Sequence, residues 1–440
     1  MSDLISAFGG TANVIIWFVV ALSVIVAIHE YGHYIVGRWS GIDADVFSIG
    51  FGPILFSRVD RRGTRWQLAA FPLGGYVKFR GDADAASVTA DKDVAPARNT
   101  MLGAPLWARS ATVFAGPLFN FVLSFLIFAV MIGVRGQVAE PMVIADVPDL
   151  PAPFEVELQP GDEILAINGQ RFDNGEELGE VIDELPWETV LSYTVRRDGA
   201  EIEVPGPYPY LALAAGIVPR SASDDAGLRV NDLIVSADGQ DIAAFDQLVE
   251  IVTSSGGRPL AIGVWRDGEL LNFTLEPRRS DEPQEGGGFE TFYRIGVQGG
   301  FLFDLQTEPV GWGTAILNGA VQVWTIITSS LSGLYHMLTG AISTCNLSGP
   351  VGIAEASASM ASQGTMNFIW FIAVLSTAVG LLNLFPIPVL DGGHLVFHAY
   401  EAVTGRPPGD NALRILMAVG VSLVLTLMLF GLANDLLLCP

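Results

Sequence analysis

Apolar positions in this chain gather into long uncharged runs, with neither a heptad repeat nor a Gly-X-Y repeat sustained through it. Leu4 to Ile28 carries no formal charge, and its strongly apolar part, Val14 to Ile28, follows a milder stretch that contains Gly and Ser. About 20 such residues cross a bilayer as a helix. Ser110 to Val134 is a second run, Ala356 to Leu390 contains a third, and Ile415 to Ala433 is a shorter fourth. The pattern predicts four transmembrane helices, within 1–36, 110–134, 366–391 and 412–434. No Lys or Arg precedes Arg38, so the first run lacks the basic start of a secretory signal peptide and is expected to remain as a span.

Pro309 to Ala354 is also uncharged but patterned differently. Asn318, Gln322, Thr325, Ser329, Ser332 and His336 recur at steps of four and three, which puts them on one helical face. The expectation for 309–354 is an amphipathic helix lying in the membrane interface. Between the first two spans, Val46 to Phe56 and Arg65 to Phe79 alternate loosely, with Gly and Pro at the bends, so 37–109 reads as a membrane-associated β region on the cytoplasmic side.

The segment after the second span repeats itself. Pro160-Gly-Asp-Glu-Ile-Leu-Ala-Ile-Asn-Gly169 parallels Val230-Asn-Asp-Leu-Ile-Val-Ser-Ala-Asp-Gly239, and Val195-Arg-Arg-Asp-Gly199 parallels Val264-Trp-Arg-Asp-Gly268. A period of about 70 residues marks a duplicated domain rather than a solenoid unit. The copies, 140–207 and 208–280, resemble PDZ modules. The second has Asp225-Ala-Gly-Leu228 ahead of its repeat string, whereas the first has Glu155-Val-Glu-Leu158 there. The stretch 281–308, acidic and Gly-rich at Asp281 to Gly288, is expected to be a linker. The fold class that follows is a multi-pass α-helical membrane protein with four transmembrane helices, a membrane-associated β-hairpin or sheet, and two tandem PDZ-like α+β domains.

Charge orients these parts. Half the residues are hydrophobic and only 16% are charged, which excludes an ordinary soluble enzyme, and a net charge of −24 excludes a broad nucleic-acid surface. Gly37 to Arg109 holds ten basic and seven acidic residues and is therefore placed in the cytoplasm. Gly133 to Thr365 holds eleven basic and 34 acidic residues and is placed outside. Cys345 and Cys439 are the chain's two cysteines, expected as free thiols on the external side, and they are too few for a Cys-based zinc finger.

Candidate chemistry begins at His29-Glu30-Tyr31-Gly32-His33, at the end of the first apolar run. Two His four apart share a helical face and reach one Zn²⁺, with Glu30 beside them as a base for its water. Ionisable groups are expensive at membrane depth, and their presence there usually signals function. A catalytic zinc takes three protein ligands. Asp391, in Asn383-Leu-Phe-Pro-Ile-Pro-Val-Leu-Asp391-Gly-Gly-His394, is the only acidic residue between Glu355 and Glu401 and the natural third ligand, with His394 and His398 as rivals. Asp391 reaches the two histidines only if 309–354 does not cross the membrane, since a further crossing would put it about 30 Å away.

With those residues in place, the chain resembles the site-2 intramembrane metalloproteases along almost its whole length. The resemblance rests on His29 to His33, Gly50-Phe-Gly-Pro53, Phe71-Pro-Leu-Gly-Gly-Tyr-Val77, Gly116-Pro-Leu-Phe-Asn120 and Asn383 to Gly393. It implies that His29, His33 and Asp391 bind Zn²⁺, that Glu30 is the catalytic base, and that Asn383, Asn120, Gly74 and Gly75 contact the substrate. It further implies a bacterial inner-membrane protease of the envelope stress response, with periplasmic PDZ domains and a zinc site near the cytoplasmic side. Expected partners are the lipid bilayer and single-span membrane proteins, namely an anti-sigma factor already shortened outside or remnant signal peptides. Peptides or envelope proteins at the PDZ domains are also expected. The competing function from another class is a catalytically silent PDZ scaffold. A transporter is disfavoured because the spans show no inverted repeat.

Overall fold

The computed structural model describes residues 2–82, 97–148, 150–151, 154, 156–284 and 288–438. The chain divides into two compact units. One comprises 1–130, 315–338 and 344–440, and the other 131–314 with 339–343.

Among its described residues, the first unit is helical apart from one sheet. Its helices are α1 (Ser2–Trp39), α2 (Leu106–Arg135), α3 (Trp312–Leu338), α4 (Pro350–Ser362), α5 (Thr365–Asn383), α6 (Asp391–Thr404) and α7 (Asp410–Ala433). Among the described residues, four segments are long and apolar enough to cross a membrane: Thr11–Trp39, Leu106–Arg135, Thr365–Asn383 and Asn411–Leu438. Ala21 and Ile25 of α1 pack against Phe368 and Ile372 of α5, with Ile127 of α2 alongside. Small and hydroxyl residues bring the backbones close, as membrane helices require in the absence of a hydrophobic drive between them. A Cβ at Gly32 would lie 2.5 Å from the Ala115 carbonyl oxygen, and Ser124 and Ser376 stitch α2 to α5 by donating to the carbonyls of Ala373 (2.7 Å) and Asn120 (3.0 Å).

The stretch expected as one interfacial helix folds as two, α3 and α4, divided at Gly340–Gly349 by a short 3-10 turn. α3 is not among the four candidate spans. It buries Ala315, Gly319 and Val323, while Asn318, Thr325, Ser329 and Ser332 of its polar stripe stay exposed. The amide N–H groups of Gly349, Val351 and Gly352, at the start of α4, donate to the buried Asp435 carboxylate at 2.9, 3.1 and 3.0 Å, filling the donors that a helix start leaves open. Cys345 is disulfide-bonded, which corrects the expectation of free thiols; Cys439 lies outside the described residues.

The third span also differs from its expected extent of 366–391. α5 stops at Asn383, and Asp391 is the first residue of a separate helix, α6. Pro386 and Pro388 supply no N–H to continue α5. The intervening loop folds over the start of α6 so tightly that a Cβ on Gly393 would lie 2.5 Å from Pro388 Cα.

The sheet of this unit is built from two long strands, β1 (Ala44–Val59) and β2 (Arg65–Phe79). Each bends back on itself. Residues 44–49 pair with 75–79 on one side and with 65–68 on the other, and 54–59 complete the set against 65–69. The 75–79 segment is thus an edge, paired on one side among the described residues. Gly50, with φ +88°, stands at the bend of β1, where a Cβ would lie 2.9 Å from two carbonyl oxygens of β2.

The second unit contains the duplication as two lobes of equal topology. The first orders its strands Gln170–Arg171, Glu163–Ile167, Leu191–Arg197 and Ala200–Gly206, with helix Gly175–Glu184. The second orders Gln240–Asp241, Leu233–Ala237, Leu260–Arg266 and Glu269–Leu275, with helix Phe245–Ser254. One ion pair recurs in both, Arg197 with Asp162 at 2.7 Å and Arg266 with Asp232 at 2.6 Å, each carboxylate buried. The second lobe carries a short helix, Ala222–Ala226, ended by Gly227 at φ +82°. Glu155 of the corresponding stretch in the first lobe lies outside the described residues.

The expected linker is structured in large part. Arg278–Pro283 pairs with Phe289–Arg294, Val297–Gly299 with Ala214–Ile217, and Asp304–Leu305 with Ile144–Asp146. Phe289, Phe292 and Tyr293 give this stretch the apolar content that strands need, which its acidic start conceals. Residues 285–287 lie outside the described residues.

Candidate metal centre

His29 and His33 stand one turn apart on α1, and α6 presents Asp391 to both. Asp391 Oδ2 lies 3.2 Å from His29 Nε2 and 3.4 Å from His33 Nε2, and the two nitrogens are 3.1 Å from each other. These three residues form a group whose ligand atoms all fall within 4.8 Å. Asp391 Oδ2 is buried and makes no hydrogen bond despite facing two imidazoles. Nitrogens about 2.0–2.1 Å from a tetrahedral zinc stand about 3.3 Å apart, close to the spacing found here. Two imidazoles and one carboxylate converging at that distance, with an acceptor left orphaned between them, fit a zinc ion.

α2 supplies no ligand but shapes the centre. His33 Nδ1 donates to the Thr112 carbonyl at 2.8 Å, which leaves Nε2 as the free lone pair. Asn120, fully buried, places its side-chain amide 3.2 Å from His29 Nδ1. Gly116 lies beneath both rings, where a Cβ would come within 2.9 Å of His29 Cε1 and overlap His33 Nε2. Thr112 escapes sequence reading because it acts through its backbone. Gly116 stands in the quoted string, but its reason there is visible only in space.

A cavity of about 330 Å³ opens beside the centre, lined by Glu30, Gly75, Tyr76, Val77, Asn383 and the three candidate ligands, among others. Edge segment 75–79 therefore passes alongside the metal centre. Gly75 comes so close to α1 that a Cβ would sit 3.1 Å from Glu30 Cγ, and Gly74 packs against Phe51 instead. Asn383 lines the cavity and donates from Nδ2 to the Val379 carbonyl at 3.0 Å. Asn120, grouped with Asn383 in the sequence as a substrate contact, lies instead against His29.

The rival ligands His394 and His398 line the same cavity without joining the ligand group. His398 Nδ1 is 3.2 Å from Ser110 Oγ, and Glu401, one turn on, makes a two-pronged ion pair with Arg109 at 2.6 and 3.0 Å.

The family model for Peptidase family M50 matches residues 17–427. The chain belongs to this family, the site-2 proteases, and is a zinc-dependent membrane protease. It is 34% identical over 99% of its length to a protein of Agrobacterium fabrum that carries the name of a zinc metalloprotease, 98% of which is covered. A likewise named protein of Rhizobium meliloti is 36% identical, with 95% of each chain covered. The regulator of sigma-E protease RseP of Salmonella typhimurium is 31% identical over 95% of this chain and 97% of its own.

Proposed function

We propose that the protein cuts single-span membrane proteins at a zinc site held by His29, His33 and Asp391, with Glu30 as the catalytic base. The observation that carries this reading is the convergence of the three ligand atoms beside a cavity that Glu30 also lines. Zinc, when bound there, polarises the scissile carbonyl and acidifies its water. Glu30 takes the proton from the attacking water and returns it to the departing amide nitrogen as the peptide bond breaks. Glu30 immediately follows His29 on α1, so one helix fixes both the ligand and the base.

A transmembrane helix must unwind before it can be cut, because its carbonyls are already paired within the helix. Edge segment 75–79 offers backbone groups to an unwound substrate by strand addition, beside the zinc ligands. Asn383 spends one amide hydrogen on Val379 and keeps its oxygen for a substrate N–H. Gly75 keeps this strand low over Glu30.

The substrate class is an anti-sigma factor shortened on its external side, with remnant signal peptides as a second class. The name of the Salmonella relative, a regulator of sigma-E protease, supports it. The location is a bacterial inner membrane, with the zinc site toward the cytoplasm and the two lobes in the periplasm. The basic loop between α1 and α2 and the disulfide at Cys345, which suits an oxidising compartment, both support that orientation. The lobes are PDZ-like domains that exclude substrates with bulky external parts.

The test is a comparison of single-span membrane proteins in cells carrying the native chain and Glu30→Gln. Full-length or externally trimmed substrates should accumulate with Glu30→Gln; identical protein profiles in the two strains would refute the reading.

A further inference from the structure

We infer that Asn120 is a positioning residue for the zinc centre: its amide oxygen accepts the Nδ1 proton of His29 and holds that imidazole in the tautomer whose Nε2 is free for metal. The inference rests on the ligand set proposed above.

A neutral imidazole carries one N–H and one lone pair. His33 has its proton on Nδ1, because Thr112 presents only a carbonyl oxygen there, at 2.8 Å. His29 Nε2 faces His33 Nε2 at 3.1 Å and Asp391 Oδ2 at 3.2 Å, the directions a shared metal would occupy. A proton on His29 Nε2 would block that place, so it must sit on Nδ1 and find an acceptor. The polar side chain within reach of Nδ1 is the Asn120 amide at 3.2 Å.

The two ends of an amide have nearly the same shape, and the partner decides which end faces it. With nitrogen toward His29, two donors would meet once the imidazole takes its metal-binding form, and Asn120 Oδ1 has no hydrogen-bond partner on the far side. With oxygen toward His29, Nδ1–H is satisfied. The side chain packs at its Cβ beside Gly380 of α5, but the hydrogen bonds from Ser124 and Ser376, at 3.0 Å each, go to the Asn120 backbone carbonyl and leave the side-chain amide to His29. A fully buried amide is costly in such surroundings, and His29 is the side-chain partner that it serves.

The test measures zinc affinity of the detergent-purified full chain by chelator competition, with the melting temperature of the metal-stripped protein as a second readout. Loss of an outer-sphere partner of a metal-bound histidine weakens binding roughly 10–100-fold, so Asn120→Leu should do so, while Asn120→Asp, which keeps the acceptor, should stay within about threefold of native. Metal-stripped native and Asn120→Asp proteins should melt alike. Native affinity in Asn120→Leu would overturn the inference, as would a loss in Asn120→Asp as large as in Asn120→Leu. If Asn120→Leu does not fold, the Asn120→Asp affinity decides alone by the same threefold limit. His29→Ala separates the two levels: zinc retained there refutes the ligand set itself, whereas zinc lost there and kept in Asn120→Leu refutes the role of Asn120 only.

Discussion

Gly116 of α2 lies against the His33 ring of α1, in a place where a single added methyl group would overlap Nε2. The neighbouring helix thus holds the candidate ligands by what it omits as much as by the hydrogen bond that the Thr112 carbonyl accepts from His33. Substitution Gly116→Ala should push the imidazoles off the metal position and remove most of the bound zinc, while Gly319→Ala, at a helix contact away from the centre, should keep it. Zinc analysis of the purified variants checks this, and full zinc in Gly116→Ala would contradict the geometry.

The recurring pair of Arg197 with Asp162 makes the first lobe sensitive to acid. Burial opposes the charge of Asp162, but hydrogen bonds from Arg197 and the Gln159 amide outweigh it and hold the carboxyl below its ordinary value of 3.8. A lowered pKa in the folded state stabilises above the unfolded value and is lost as pH falls through the folded one. Lobe stability should therefore be flat from neutral pH down to about 4 and fall below that. Removing Arg197 leaves a carboxylate that is only 1% exposed without its cation, and Arg197→Ala should cost about 3 kcal/mol. Hydrogen exchange of strand residues 191–197 in the full chain reads both effects.

Excision tests whether the lobes exclude or recruit. Where the chain enters and leaves this unit, Gln137–Val138 pairs with Thr307–Glu308, and Ala139 N–H donates to the Gln306 carbonyl at 2.8 Å. Residues 140–305 can thus be replaced by a short flexible connection between neighbouring ends. If the lobes act as a filter, the shortened protein should cut substrates whose external domains are intact. If they recruit, it should cut even a pre-shortened substrate more slowly, because the effective concentration they supply is lost.

The edge role of 75–79 predicts a positional effect of proline. Proline removes a backbone donor. Along an antiparallel edge alternate N–H groups point away from the sheet, so of Tyr76→Pro and Val77→Pro one should disturb the sheet and the other should leave it intact. The variant that keeps the sheet and its zinc should cleave at least about tenfold more slowly, the factor that 1.4 kcal/mol represents. Native rates in both would exclude strand addition at this edge.

How much of this was legible in the sequence depends on the range of the forces involved. The four apolar runs, the His-Glu-His helix and the duplication are local patterns, and each has a counterpart in the structure. Asp391 stood out as the lone acidic residue of a long uncharged stretch. The break at Asn383 was half visible: prolines marked it, but whether Asp391 ends one helix or begins another depends on the loop 384–390, whose backbone packs over Gly392 and Gly393 of α6. Within 281–308, the acidic start conceals the hairpin of 278–283 with 289–294, whereas the strands at 297–299 and 304–305 were hidden because their partners lie at 214–217 and 144–146, far earlier in the chain. Asn120 resembled a substrate contact from its string alone. Its neighbour His29 is on another helix, which spacing within α2 does not reveal.

The central claim is that three residues hold the metal and a fourth moves the proton. Zinc content and cleavage of a single-span substrate should be measured together on purified native protein, Asp391→Ala and Glu30→Gln. Native protein should hold about one zinc per chain, as a three-ligand catalytic site does, and cleave. Asp391→Ala should lose both properties, and Glu30→Gln should keep its zinc and lose cleavage. Full zinc in Asp391→Ala, or native cleavage by Glu30→Gln, would contradict the account.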